Sequence, residues 1–157
     1  MSNTILQLKT IPCGAALLLL AVAGSVLSHP ILYTNFTHSM PAGVYLAIGR
    51  PARPGDDVVF ASSLVPTFGL HVPPLLLKHF TYGSGVRVRI DQAGLSVSGK
   101  LVAPRVVGFG TSYSGTIPPG KSILLGEDSR SFDSRYFGPV PVDSLQPVEP
   151  LLTWSAR

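Results

Sequence analysis

The sequence predicts an all-β domain, built as a folded or partly closed β-barrel and preceded by one transmembrane helix. The 157 residues include 16 glycines and 15 prolines, which separate short runs rich in Val and Leu. This pattern is typical of many short strands joined by turns. Beyond residue 30, no segment repeats its apolar residues at helical spacing, and the length suits a single domain.

The composition excludes several classes of protein. Only 13% of residues are charged and 45% are apolar, which is too apolar for a disordered chain. The net charge of +4 comes from scattered basic residues without a stripe of interleaved aromatics, so nucleic acid is not an expected partner. The single cysteine, Cys13, allows no intrachain disulfide. We predict no cofactor and no metal site, because His29, His38 and His71 lack ligand spacing.

The N-terminal segment predicts export of the rest of the chain. Residues 11–28 carry no charge and as a helix span about 27 Å, enough to cross a thin bilayer. Lys9 before this run favours a cytoplasmic segment 1–10 and an outward-facing domain 29–157. The expected location is therefore the inner membrane, with the domain on its periplasmic face. The alternative is a signal peptide cleaved near 21–23 (AVA), which exports the same domain.

The first part of the exported domain is predicted as three strands. Residues 44–48 (VYLAI) and 57–61 (DVVFA) are apolar runs separated by the turn cluster 50–56. The Pro-rich segment 62–74 is predicted as a surface loop. Its last two prolines favour an extended backbone at 75–78.

Four further elements are predicted in the second half. Residues 86–90 (VRVRI) alternate apolar and charged side chains, as a half-exposed strand does. Residues 94–99 resemble a hairpin with glycine turns. Strands are also expected at 102–109 and, after a Pro-Pro-Gly turn, at 122–125.

Ser39 is a candidate nucleophile. It precedes Met40-Pro41, and the restricted backbone before proline favours a serine presented at a sheet rim with a free amide. Such an amide is a natural donor to the oxyanion of an acyl intermediate. Thr37, two residues earlier, offers a second donor through its hydroxyl. The alternative is an ordinary turn serine.

Lys78 is a candidate general base. It follows three leucines and precedes His79, and burial among apolar side chains lowers the pKa of a lysine amine. A neutral amine is able to take the proton of a serine hydroxyl. The alternative is a lysine at a strand edge whose amine reaches water.

The polar segment after 122–125 completes the candidate site. A hydroxyl such as that of Ser131 is expected beside Lys78, and Asp133 is expected to pair with Arg135 or His79. A rival arrangement is a Ser39–His79–Asp133 triad. Lys78 and His79 are adjacent and point to opposite faces of a strand, so only one faces Ser39, and we favour Lys78.

These segments resemble the type I signal peptidase superfamily, and most closely its conjugative transfer (TraF-like) branch, which matures pilins. The resemblance covers nearly the whole chain in order, with histidine after the lysine where the family often has arginine. The matching segments are 39–45 (SMPAGVY), 55–60 (GDDVVF), 77–78 (LK), 97–99 (VSG) and, most specifically, 131–139 (SFDSRYFGP).

The resemblance implies a role for each matched residue. It makes Ser39 the nucleophile, Lys78 the base and Thr37 an oxyanion donor together with the Ser39 amide. Ser131 supports the lysine, and Asp133 and Arg135 belong to the last box. An extended substrate with small residues before the cut is expected alongside the strands, where it would contact His38, Leu76 and Leu77.

The expected function is that of a membrane-anchored serine endopeptidase with a Ser/Lys dyad. Its expected partners are a pilin or another exported precursor, the inner membrane and conjugative type IV secretion components. Hydrolysis or cyclisation of the product remain equally open. Two alternatives stand beside this interpretation: a housekeeping signal peptidase, and a non-catalytic membrane-tethered assembly factor of a conjugation or secretion system.

Overall fold

The computed structural model describes residues 31–106 and 108–154. This part of the chain contains eleven strands, one short α-helix, and two single 3-10 turns at Ser62–Leu64 and Val142–Ser144. The strands are β1 (Leu32–Asn35), β2 (Ala42–Ala47), β3 (Asp57–Ala61), β4 (Leu75–Tyr82), β5 (Arg87–Asp91), β6 (Gly94–Val97), β7 (Lys100–Pro104), β8 (Tyr113–Thr116), β9 (Lys121–Leu125), β10 (Val140–Pro141) and β11 (Gln146–Trp154), and the helix is α1 (Ser134–Phe137).

The strands form two antiparallel sheets. The larger sheet has the order β1-β2-β11-β3-β4-β9-β10, and the smaller has the order β7-β6-β5-β8. The predicted all-β class is confirmed. A closed barrel is not formed within the described residues, because each sheet ends in two edge strands. At one edge β10 has only two residues, and Pro141 has no N–H with which to extend the ladder.

The N-terminal prediction falls on residues that the structure does not describe. The apolar run 11–28 and the segment 1–10 lie outside the described residues. Across 31–106 and 108–154, no helix combines the length and the apolar character that crossing a bilayer requires.

Strand β4 separates two of the hydrophobic cores. Leu76 and Phe80 pack into one core with residues such as Phe60 and Phe137, whereas Leu77 packs into another with Met40 and Tyr45. This division follows from the strand's two-residue period, which sends neighbouring side chains to opposite faces. Lys78 therefore shares the face of Leu76, and His79 shares the face of Leu77.

Two local predictions are wrong. The strand expected at 102–109 is Lys100–Pro104 instead, and the chain leaves the sheet at Arg105, whose side chain donates to the Arg135 carbonyl. No helix was predicted beyond residue 30, but α1 forms at Ser134–Phe137. The Asp133 side chain caps α1 by accepting from the Arg135 amide, which stabilises a helix too short to show a sequence period.

Candidate active site

Lys78 and Ser39 are in direct contact, although 39 positions separate them along the chain. The Lys78 Nζ donates to the Ser39 Oγ at 2.8 Å and to the Leu77 carbonyl at 2.9 Å. Only 2% of Lys78 is exposed, while Ser39 is half-buried. A buried amine thus meets a hydroxyl that solvent still reaches.

Burial changes the acidity of this amine. It lowers the pKa of Lys78 from 10.5 to about 8, an effect that nearby Asp133 opposes and nearby Arg135 reinforces. With a pKa of about 8, roughly one amine in ten is neutral at pH 7, against about one in 3,000 for a lysine with a pKa of 10.5. The environment of Lys78 therefore favours its use as a base near neutral pH.

Asn35 shapes the turn that presents Ser39. Its buried amide donates to the carbonyls of Thr37, Met40 and Pro41 at 3.1, 2.9 and 3.0 Å. Its Oδ1 accepts from the Thr37 amide at 3.1 Å. One side chain thus closes the turn around Ser39, as asparagine does when it satisfies nearby backbone groups.

Two possible oxyanion donors lie at this turn. The Thr37 Oγ1 is 3.1 Å from the Ser39 Oγ, and at rest it donates to the Asn35 Oδ1 at 2.7 Å. Within the described part of the chain, the Ser39 backbone amide donates to no other group. The Thr37 hydroxyl and the Ser39 amide therefore both lie near the Ser39 Oγ, the atom that would be bonded to a tetrahedral intermediate.

A buried ion pair anchors the segment after β9. The Asp133 Oδ2 accepts from the Arg135 Nη2 at 2.7 Å and from the Gly126 amide at 2.9 Å. The Asp133 Oδ1 accepts from the Arg135 Nε at 2.8 Å. The remaining guanidinium hydrogens go to carbonyls, so the buried charges are well partnered; those carbonyls belong to Pro104, Asp128, Ser129 and Ser131.

The anchored segment contacts the backbone of the nucleophile. The Glu127 amide donates to the Ser39 carbonyl at 2.8 Å. A Cβ added to Gly126 would lie 2.7 Å from the same carbonyl oxygen and would collide with the Ser131 hydroxyl. Glycine is required here because a side chain has no room.

Ser131 does not make the contact predicted for it. Its Oγ is buried and has no hydrogen-bond partner among the described residues. The second bond of the Lys78 amine goes to the Leu77 carbonyl instead. An unpartnered buried hydroxyl is uncommon in native proteins, and this one packs against Gly126 at the base of the site.

Comparison with known proteins shows the family of this chain. The profile of the family described as "Signal peptidase, peptidase S26" matches residues 7–154. The chain belongs to the S26 signal peptidase family. It is 30% identical to a plasmid transfer protein TraF of Escherichia coli over 166 aligned positions, covering 90% of this chain and 92% of that protein. This relative supports the predicted resemblance to the TraF-like branch.

One solved structure also matches this chain. The crystal structure of a signal peptidase I from Enterococcus faecalis V583 has 21% sequence identity, and the match covers 66% of this chain and 98% of that one. The TM-score of 0.38 is too low for the likeness to add to the S26 assignment.

The structure brings Ser39 to Lys78 and not to His79. The His79 Nδ1 lies 2.5 Å from the Asp57 Oδ1, and the Nε2 lies 3.2 Å from a Glu127 carboxylate oxygen. Asp133 pairs with Arg135 rather than with His79. The rival Ser39–His79–Asp133 arrangement is therefore not formed, because His79 occupies the opposite face of β4 from Lys78.

Of the three residues predicted to bind substrate, one lines a cleft and two are buried. His38 lines an open cleft of about 440 Å³ beside Ser39, together with Met40, Pro41, Ala42, Glu127, Thr153 and Trp154. In contrast, the side chains of Leu76 and Leu77 are buried in the two cores that flank β4. With exposures of 6% and 8%, these two side chains do not line the cleft.

Sequence reasoning missed four groups at this site. They are the Asn35 side chain, the Leu77 carbonyl, Gly126 and the Glu127 amide. The pattern Asn-x-Thr-x-Ser at 35–39 carried a usable signal, since asparagine two residues before a turn threonine is typical of a side-chain-closed turn. The other three depend on tertiary contacts that no local pattern encodes.

Proposed function

We propose that this chain is a serine endopeptidase in which Ser39 is the nucleophile and Lys78 is the general base. The observation that supports it most strongly is the 2.8 Å contact between the Lys78 Nζ and the Ser39 Oγ, made by an amine that burial brings to a pKa of about 8. The S26 family consists of peptidases, and the match to it spans nearly the whole chain.

The first half of the reaction forms an acyl-enzyme. The neutral Lys78 amine takes the hydroxyl proton of Ser39 as the Oγ attacks the carbonyl carbon of the scissile peptide bond. The Ser39 amide stabilises the resulting oxyanion, and the Thr37 hydroxyl joins it after turning away from Asn35. The Lys78 ammonium then gives its proton to the departing amine, and the C–N bond breaks.

The second half removes the acyl group. Lys78, neutral again, takes a proton from an attacking water. It returns that proton to the Ser39 Oγ as the ester bond breaks, and a carboxylic acid is released. Attack by an amine of the substrate itself would instead form a new peptide bond and a cyclic product. Both routes need only the same base and the same oxyanion donors.

The proposed substrate is an exported precursor protein, with a conjugative pilin as the leading candidate. The S26 match supports a precursor, and the relative named for plasmid transfer supports a conjugative context. We propose that residues 11–28 anchor the enzyme in the inner membrane, with the catalytic domain on the periplasmic face. Conjugative secretion components are then its neighbours.

The proposed mode of substrate binding is strand addition to β4. On one side, β4 pairs with β3 from Leu75 to His79. On the other side, its pairing with β9 begins only at His79. Among the described residues no strand pairs with this edge from Leu75 to Lys78, although the Leu77 carbonyl already accepts from the Lys78 amine. An extended peptide would add here, and its backbone hydrogen bonds would align a scissile bond beside Ser39.

The test is processing of a conjugative pilin precursor by the full chain, followed by intact-mass spectrometry. The wild type is expected to shorten the precursor. Ser39→Ala and Lys78→Arg are expected to abolish processing, because arginine stays charged and cannot act as a base. Asp91→Asn, in a half-exposed position of the smaller sheet, is the matched control and should process normally.

Two outcomes would contradict the proposal. Processing by Lys78→Arg at the wild-type rate would remove the lysine from the mechanism. Normal conjugative transfer by a strain carrying Ser39→Ala would instead favour the non-catalytic assembly factor.

A further inference from the structure

His79 lies between two carboxylates from different elements. The Nδ1 is 2.5 Å from an oxygen of Asp57, its register partner on β3. The Nε2 is 3.2 Å from an oxygen of Glu127, which follows β9. The His79 side chain is 37% exposed and that of Glu127 is 54% exposed, so the cluster is partly shielded and still in contact with water.

The cluster is connected to the nucleophile through one residue. The Glu127 carboxylate is hydrogen-bonded to the His79 ring, and the Glu127 backbone amide donates to the Ser39 carbonyl at 2.8 Å. The preceding amide, that of Gly126, is held by Asp133. The Gly126–Glu127 turn is thus fixed from one side by Asp133 and from the other by His79.

The two contacts of His79 require a particular protonation state. Ionised Asp57 and Glu127 only accept hydrogen bonds, and a neutral imidazole has a single N–H to donate. Only the imidazolium can donate to both carboxylates. On deprotonation the 2.5 Å contact with Asp57 is the one favoured to persist, and the longer contact with Glu127 is lost.

The charged groups around His79 favour the imidazolium. The Asp57 hydrogen bond is the main cause of a raised His79 pKa, Glu127 adds to it, and partial burial opposes it. Tyr45, from β2, is a further titratable group near both carboxylates. Burial and these carboxylates raise the pKa of Tyr45 to about 12, so it stays neutral across the range in which His79 titrates.

We propose that His79, as the imidazolium, is a positioning residue that ties Glu127 to Asp57 and so keeps the Glu127 amide on the Ser39 carbonyl. This inference rests on the proposed Ser39–Lys78 peptidase. The dyad gains activity as the pH rises, because Lys78 must lose its proton. His79 has the opposite effect on activity at high pH, because it loses its proton as the pH rises and then releases Glu127.

The experiment compares the pH profiles of kcat/KM for the wild type, His79→Arg and His79→Gln, with a conjugative pilin precursor as substrate, from about pH 6 to 10. Arginine keeps its charge throughout. The wild type should match His79→Arg at low pH and fall roughly tenfold below it at high pH, the effect of losing one charged hydrogen bond. His79→Gln should be low at every pH. Superimposable wild-type and His79→Arg profiles would overturn the proposal.

A double-mutant cycle isolates the contact between the two side chains. Glu127→Gln should lower kcat/KM as much as His79→Gln does, and the double variant should lose no more than either single variant. Fully additive losses would contradict a shared role. Thermal unfolding of each variant checks that it is folded.

Hydrogen–deuterium exchange of the full chain tests the same idea without any substrate. The peptide that contains the Glu127 amide should exchange faster in His79→Gln than in the wild type, and His79→Arg should restore protection. Equal exchange in all three proteins would overturn the positioning role. If the wild type leaves the precursor uncut, the peptidase proposal fails, and the exchange result alone decides whether His79 holds the Glu127 amide.

Discussion

The Nζ of Lys78 lies 2.8 Å from the Oγ of Ser39, and the same nitrogen donates a hydrogen bond to the carbonyl of Leu77. The lysine amine therefore makes two hydrogen bonds within the protein and has almost no exposure to water. Such an amine is costly to keep charged. This relationship links the stability of the fold to the chemistry proposed for the site, and both can be measured.

Burying Lys78 should lower stability at acidic and neutral pH. Its pKa is about 8 in the fold and 10.5 for an ordinary exposed lysine, so the unfolded chain binds the extra proton between these values. The free energy of unfolding should therefore rise with pH across that window. Lys78→Met should be the more stable protein below pH 8, by up to about 3 kcal/mol.

Denaturant unfolding at several pH values checks this prediction. The advantage of Lys78→Met should shrink as the pH rises from about 8 towards 10.5. A difference between the two proteins that stays constant with pH would mean that Lys78 is not held in a desolvated environment.

Gly126→Ala should impair activity strongly. The added Cβ would lie 2.7 Å from the Ser39 carbonyl oxygen, so either the Gly126 turn or Ser39 must move. A displacement of about 1 Å at a reacting group costs on the order of a hundredfold in rate. The control is Gly49→Ala, since a Cβ at Gly49 meets no atom within 4 Å. Equal kcat/KM for the two variants would contradict the close packing at Ser39.

The Asp133–Arg135 pair should contribute mainly to stability. Arg135→Met leaves the fully buried Asp133 carboxylate without its main partner, and breaking a buried pair in this way costs about 3–5 kcal/mol. Arg130→Met is the matched control, because the Arg130–Asp128 pair is long at 3.4 Å and its arginine is largely exposed. That variant should lose less than about 1 kcal/mol in chemical denaturation.

Thr37→Val should lower kcat and leave KM nearly unchanged. Valine keeps the shape but cannot donate to an oxyanion, a loss that typically costs about a hundredfold. It also removes the bond to Asn35, so Thr37→Ser is needed as a second variant and should keep most of the activity. Steady-state kinetics on the pilin precursor would show a purely structural role if KM rose and kcat did not fall.

The sequence predicted the strands that have a clear local pattern. The apolar run at 57–61 coincides with β3, and the alternating run at 86–90 lies within one residue of β5. The run that became β11 was not predicted. It contains Pro147 and Pro150, which argue against a strand in the interior of a sheet, yet β11 lies between β2 and β3.

The structure shows how β11 tolerates Pro150. The register with β2 shifts between Pro150 and Leu152, so the irregularity falls next to the residue that lacks an N–H. Such bulges are local adjustments to neighbouring strands. They cannot be read from the strand's own sequence.

In the candidate site too, features with a local sequence signal were predicted and features that depend on tertiary contacts were not. Ser39 and Lys78 were predicted as a pair from their flanking sequences, from the polar segment that follows β9, and from the resemblance to the signal peptidase superfamily. The support around them was predicted less well. The Glu127 amide reaches Ser39 through the backbone, where residue type carries no information, and the Leu77 carbonyl replaces the Ser131 hydroxyl that the sequence had suggested.

The most direct test of the central claim is an NMR titration of the Lys78 side chain in the full chain, compared with the pH profile of kcat/KM on the same protein. The account predicts that the Lys78 resonance titrates with a pKa of about 8 and that the rise in activity has the same midpoint. A Lys78 that titrates near 10.5, while activity rises at a lower pH, would contradict the assignment of Lys78 as the base for Ser39.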